Sequence, residues 1–432
     1  MERRQHFRWN MIFLRLYLGI WGVGMGFVGV LTILPVFMAR AGLSRLLIGM
    51  IPAAQSFGSL LQPVAAHASA GLAKKKGQML WFHVPYLGMG FVLAAGSFFV
   101  GTGREVYAGI LVLSTVAICA LSVGLVNPLW FELAAKLVPQ GKRGGFFGVN
   151  NAVTSASGVM GAFLAKHVLD RWQFPTNFGV SFLCGAVLLS LATASLLPAR
   201  EPASPEATRR PRFRDFMLRL FREANFDRNY RNFLIERNLA GIGYMSVGFL
   251  TVYTVHRFRL PSSAAASYSM VMMSAVMLTA VFWGRLGERI GYRSLSLIGL
   301  CLWTGGLVWA MVAPSAGWVG ITFFVVGMAQ FMDFVGCINI VLECCRRMEK
   351  AGFVAITNLL VIPGFVVGPV LGGFIAQRVS YEAMFWLAIG ALALSVGILG
   401  FFFTDPRRLE RAGRGKAEQG GAFPLSSAGG DF

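Results

Sequence analysis

Apolar residues along this chain are gathered into long blocks, separated by charged, Pro-rich or Gly-rich breaks. The blocks show neither the one-sided 3.6-residue stripe of a soluble core helix nor the alternation of a half-buried strand. About 20 apolar residues cross the ~30 Å hydrocarbon layer as a helix. Twelve such blocks occur, at 11–38, 46–66, 79–100, 106–131, 146–168, 177–198, 232–255, 264–286, 292–313, 317–342, 351–376 and 381–404. The pattern predicts an all-α membrane protein of twelve transmembrane helices, six on each side of the longest polar stretch. Residues 1–198 and 232–404 are expected to form an N-terminal and a C-terminal six-helix bundle. A cytoplasmic linker at 199–231 joins them, and 405–432 reads as a disordered cytoplasmic tail.

Composition agrees with a bilayer as the solvent. Of 432 residues, 56% are hydrophobic and 13% charged, about half the charge of an ordinary soluble protein. The formal charge of +20 would suggest a nucleic-acid partner in a soluble chain. Its placement says otherwise. With the N-terminus inside, 29 of the 39 Lys and Arg residues fall on inner segments, among them Lys74 to Lys76, the central linker and Arg285 to Arg293. That bias predicts a multi-pass protein of the plasma (inner) membrane with both termini cytoplasmic, and no nucleic-acid partner. The basic start before an apolar run resembles a signal peptide, but the run is too long and further spans follow, so an uncleaved first helix is expected. The six cysteines lie in or at the ends of apolar blocks without C-x-x-C spacing, and no structural disulfide is expected.

The linker opens with a Pro-rich run from Glu201. Phe213, Phe216, Met217, Leu220 and Phe221 then recur at helical spacing opposite Arg212, Arg214, Asp215, Arg219 and Arg222. This amphipathic segment suits either the membrane interface or a solvated cover over the loops. The halves also repeat. Asn10, Arg15, Gly19 and Ile20 match Asn232, Arg237, Gly241 and Ile242 at one offset, and Gly145, Phe146 and Asn151 match Gly352, Phe353 and Asn358 at another. Duplication of a six-span unit is the natural source of such matches.

The loop after the eighth block carries Gly284, the pair Glu288 and Arg289, then Gly291 and Arg293. It resembles the signature loop of the major facilitator superfamily. The equivalent first-half stretch keeps basic Lys74, Lys75 and Lys76 and the glycine Gly77, but has Lys in place of the acid. Gly364, Gly368, Pro369, Gly372 and Gly373 in the eleventh block look like the superfamily's antiporter motif, displaced from its usual fifth span. The closest impression is of poorly characterised bacterial permeases with an Arg-Gly-rich loop, here Lys142 to Gly145. The resemblance implies two pseudo-symmetric bundles and secondary transport by alternating access. It also implies that Glu288, Arg289 and Arg293 latch the cytoplasmic side, and that the first, fourth, seventh and tenth helices line a central cavity. Trp21, Asn127, Trp130, Tyr244, Gln330 and Asp333 then become candidates for contact with the solute.

Asp333 is the most informative of these, because a carboxylate at that depth costs ~2.5–3.5 kcal/mol on insertion scales. Three readings stay open: proton coupling or substrate contact, a structural pair with Arg237 at similar depth, or an acid facing a wet cavity. Arg15 either snorkels to the headgroups or forms a gate with Arg237 at the inner mouth. The glycines and Pro369 of the eleventh block read as packing or hinge residues. Gln55 and Gln62 read as amides bonding between helices. Gly24, Gly26 and Gly29 match a dinucleotide fingerprint in form only, since they sit in a span and suit close helix packing. With no phosphate loop, no metal-binding motif and no cofactor expected, work must come from a gradient. The five histidines are scattered, which disfavours an integral-membrane enzyme acting on lipids. The expected activity is transport of a small solute by a monomer in the lipid bilayer, with proton-coupled efflux ahead of uptake. Few charges within the spans favour a lipophilic solute, neutral or weakly basic.

Overall fold

The computed structural model describes residues 2–69, 72–100, 105–138, 143–202, 212–223, 227–344 and 350–407. Its described residues are helical throughout apart from short connections. The first span is α1 (Glu2–Val28) and α2 (Ile33–Arg40), and the second is α3 (Arg45–Phe57), a 3-10 turn (Gly58–Leu61) and α4 (Gln62–Ser69). Then come α5 (Lys76–Ser97), α6 (Glu105–Leu137), α7 (Arg143–Arg171) and α8 (Thr176–Ala194). The interbundle helix α9 (Phe213–Glu223) precedes α10 (Arg228–Gly243) and α11 (Met245–Arg257), which together make the seventh span. The remaining spans are α12 (Ala264–Ile290), α13 (Tyr292–Val312), α14 (Ala316–Cys344), α15 (Lys350–Arg378) and α16 (Tyr381–Gly397).

Eleven segments of the described residues are long and apolar enough to cross a membrane. The second block, 46–66, is the exception; a 3-10 turn at Gly58–Leu61 divides it. A Cβ on Gly58 would collide with the carbonyl of Ala120, and one on Gly124 would collide with Gly58 itself, so the second and fourth spans touch backbone to backbone there. The local tightening to a 3-10 turn accommodates that crossing. The first span bends at Gly29, whose φ of +48° favours glycine. Large apolar side chains face outward, as a lipid solvent demands: Trp81 is 72% exposed and Phe401 88%. Asp333 is buried while its neighbour Phe334 is exposed, so α14 turns its acid inward and its aromatic side chain to lipid.

Within the first half α1 packs on α7 and α8, and α5 on α6 and α8; in the second, α10 packs on α15 and α16, and α13 on α14 and α16. Small residues allow these approaches. Gly26 lies against the backbone of Gly158 and Ala162, and Gly364, Gly368 and Gly372 lie against Asn238, Ile242 and Met245. The halves meet through α3 with α15 and α7 with α12. They close on each other at the end away from the termini. There Thr32 and Ser269 share a hydrogen bond, Arg40 Nη2 donates to the Leu260 carbonyl at 3.2 Å, and Arg45 stacks 4.2 Å from the Tyr381 ring centre.

At the terminal end the first half is clasped by the acid of an acid-proline pair that follows its last helix, and the second half carries a matching pair in Asp405 and Pro406. Glu201 accepts from the backbone N–H groups of Lys75 (2.9 Å) and Lys76 (2.8 Å), capping α5, and from Lys136 Nζ at 2.8 Å. Lys76 Nζ returns two bonds to the carbonyls of Leu197 and Ala199. In the second half Asp405 sits at the start of α13, where a Cβ on Gly291 (φ +88°) would lie 2.7 Å from its Oδ2. Burial tends to raise the Glu201 carboxyl, but the bonds from Lys136, Lys76 and Lys75 outweigh it and hold the group below its ordinary value. A depressed carboxyl stabilises the fold above its unfolded pKa, and that stability disappears as pH falls through the folded value. Glu201→Gln is therefore expected to lose about 1.5–3 kcal/mol at pH 7. Thermal unfolding of the purified protein checks it: the gap from wild type should close below the carboxylate range, and a gap constant down to pH 3 contradicts it.

The helix α9 lies against α4 and α15, with the Phe213 ring 5.3 Å from His67. Phe216, Arg219 and Leu220, part of the expected amphipathic face, have side chains outside the described residues, as does the tail from 408 onward.

Candidate functional site

A cavity of about 440 Å³ opens among the first six spans. Its lining runs from Tyr17 to Leu189 and so draws on the first half alone. The spacing of Tyr17, Trp21 and Met25 places all three on one face of α1, one turn apart. Trp21 stacks on Tyr86 at 5.3 Å between ring centres and Tyr17 tilts against Trp130 at 5.2 Å, so four aromatic rings from α1, α5 and α6 form one wall. His83 sits behind them, 2% exposed. Its Nδ1 lies 2.9 Å from the Met79 carbonyl and must donate there, which leaves Nε2 to accept from the Tyr17 hydroxyl at 3.4 Å. Asn127 and Trp130 complete the lining on α6. Gln62, on the same cavity, accepts from Asn358 Nδ2 at 2.9 Å and so ties the second span to α15.

The second half holds a different chemistry. Arg237 makes a two-pronged bond to Asp333, Nη1 to Oδ2 at 2.8 Å and Nη2 to Oδ1 at 3.0 Å. It makes a second one to its neighbour Glu236, from Nε to Oε2 and from Nη2 to Oε1, both at 2.9 Å. Ser296 on α13 donates to Asp333 at 2.6 Å, and Ser395 on α16 donates to Glu236 at 2.7 Å. The exposures of 0% (Glu236), 4% (Arg237) and 7% (Asp333) leave bulk water little access to screen these charges. Four helices are thus tied by two carboxylates sharing one guanidinium, a geometry that suits arginine's planar fork.

The structure separates residues that the sequence reading groups together. Trp21, Asn127 and Trp130 line the cavity, whereas Asp333 is locked in the ion triad. Tyr244 packs against Trp303 and Phe365, and Gln330 has its Nε2 buried without a partner among the described residues. Arg15 is exposed on α1 while Arg237 is buried, so the two do not pair as a gate here. In the signature loop, the Glu288 and Arg289 side chains are exposed and Gly284 has open space around it. Arg293 binds the Leu399 carbonyl at 3.0 Å, and Arg407 bonds the Glu288 carbonyl at 3.0 Å and the Glu343 carboxylate at 2.7 Å. Pro369 and Gly373 on α15 lie against Gly49 of α3, and Gly373 also against Leu46, making them contacts between the halves.

Sequence reasoning missed Glu236, Ser296, Ser395 and Asn238. Glu236 had a signal, being an acid directly before an in-span arginine. Asn238 had none. Its Nδ2 donates to the Leu360 carbonyl at 3.2 Å and its Oδ1 accepts from the Gly364 N–H at 2.8 Å, so it sits within the i to i−4 ladder of α15 beside Pro363.

Residues 238–429 match the family model described as Major Facilitator Superfamily. Among curated proteins, the quinolone resistance protein NorA of Staphylococcus aureus is 27% identical over 147 residues, which is 33% of this chain and 36% of NorA. The MFS-type transporter TOXA of Cochliobolus carbonum is 27% identical over 145 residues, 33% of this chain and 26% of TOXA. The chain therefore spans about a third or less of the length of these relatives in alignment. Among solved structures, the nucleoside transporter NupG superposes with a TM-score of 0.71 at 12% identity, over 91% of this chain and 100% of that one. A D-xylose-proton symporter gives 0.65 at 14% identity, over 92% and 98%. The chain is a multi-pass membrane protein whose second half is similar in sequence to the Major Facilitator Superfamily and whose fold, over nearly all its length, is the one these solved transporters share.

Proposed function

We propose that this chain is a secondary transporter that exports a small solute across the inner membrane in exchange for protons, working as a monomer by rocking one half against the other. The observation that carries the reading is the imbalance of the triad: two carboxylates share one guanidinium, all buried. With both acids ionised, one net negative charge remains inside the membrane, where an uncompensated charge is costly. A single proton removes it. The charged and titratable groups facing the site are Glu236 and Arg237 on α10 and Asp333 and Cys337 on α14; α13 and α16 contribute only the hydroxyls of Ser296 and Ser395. A proton taken up by the carboxylate pair weakens its charge-assisted bonds to Arg237, and with them the joining of α10 and α14. Proton occupancy thereby sets how firmly the second half's helices are joined.

The similarity to a quinolone resistance protein supports export as the direction. The clustering of Lys75, Lys76 and Lys136 around the linker residue Glu201 supports a cytoplasmic location for the termini and linker. Solute leaves chemically unchanged, and neither cofactor nor nucleic acid takes part.

Proteoliposomes test the coupling. Asp333→Asn is expected to cut transport driven by a proton gradient at least tenfold, while counterflow without a gradient persists. Transport by Asp333→Asn with an unchanged pH dependence would remove the coupling role.

A further inference from the structure

The walls of the first-half cavity contain no Asp, Glu, Lys or Arg. Its imidazole, His83, has both ring nitrogens engaged, by Met79 and Tyr17. A cation entering would lose its hydration with no carboxylate opposite, and attraction to aromatic faces recovers only part of that loss. An anion would meet the negative faces of the same rings, which is worse. The walls offer flat apolar surface instead, in the rings of Tyr17, Trp21, Tyr86 and Trp130. Thr115 is an unspent polar group there: it lines the cavity, is 3% exposed, and its Oγ1 has no hydrogen-bond partner among the described residues. A buried hydroxyl left unpaired is unfavourable, so a polar atom brought by an occupant is favoured beside it.

We propose that the cavity binds an uncharged, flat aromatic molecule of one or two fused rings, whose single hydroxyl or carbonyl pairs with Thr115 while the rings lie against Trp21. The volume of about 440 Å³ accommodates such a molecule. This inference rests on the reading of the protein as a transporter only for the fate of the molecule, not for its binding.

The test uses purified full-length protein and tritiated naphthylmethanol, competed by unlabelled naphthylmethanol, naphthylmethylammonium, naphthoate and methylnaphthalene. Naphthylmethanol should compete best, with both ions at least tenfold weaker. Thr115→Val, which keeps the side chain's size, should weaken naphthylmethanol about fivefold and leave methylnaphthalene unchanged. Trp21→Phe, which retains a ring, should weaken both. A cation that competes as well as the alcohol overturns the proposal, as does a Thr115→Val protein that binds the alcohol like wild type. Binding with the expected profile but no counterflow of naphthylmethanol upholds the site and removes the transport reading. Counterflow of a charged solute with no naphthylmethanol binding does the reverse.

Discussion

Arg237→Leu is expected to lose roughly 3–5 kcal/mol of stability, because it strands two carboxylates in a buried site. That loss is a large share of the stability of an ordinary protein. The variant should therefore yield little folded protein after extraction, and its surviving fraction should melt well below wild type. The cause is the charge left behind, not the lost contact area. A charge-free triple replacement, Glu236→Gln, Arg237→Met and Asp333→Asn, should accordingly recover most of the loss, since buried ion groups exchange for neutral ones at little net cost. The same triple variant should show no proton-driven transport. An Arg237→Leu protein as stable as wild type would mean that the triad is hydrated or already neutral.

Gly368→Val is the second large effect. A Cβ there would sit 2.5 Å from the Ile242 Cα and 2.9 Å from the Gly241 carbonyl. Those are backbone atoms, so no rotamer change relieves the overlap, and α15 must separate from the seventh span. Overpacking typically costs about 1–3 kcal/mol, occasionally more, and a backbone collision belongs at the upper end. Gly390→Val on α16 is the matched control, because nothing lies within 4 Å of its Cβ position. Thermal midpoints of the two variants should differ by several degrees; equal midpoints would show that α15 does not pack this closely on the seventh span.

The layout of the spans could be read from the chain because a lipid solvent imposes length and hydropathy on every crossing segment, and these survive in one dimension. Depth could be read too, which is why Asp333 and Arg237 stood out. Direction around the helix axis could not. Trp21 and Tyr244 were grouped by span number, yet one faces a cavity and the other packs on Trp303 and Phe365. Gly58 looked like one more small residue in an apolar run, because only its contact with Ala120 reveals the interruption of the second span. Glu201 and Asp405 were assigned to a flexible linker and a tail on composition. Glu201 is an anchoring residue and Asp405 lies buried beside Gly291, since a carboxylate's place at a helix start is decided by what lies across space.

The aromatic cage takes no wall from beyond Leu189, and the ion triad takes no member from before Glu236. On the function proposed above, cargo choice and power supply fall on separately mutable stretches of one polypeptide. A lineage could then retailor what it carries by exchanging a few rings near the amino terminus, and leave its engine as inherited.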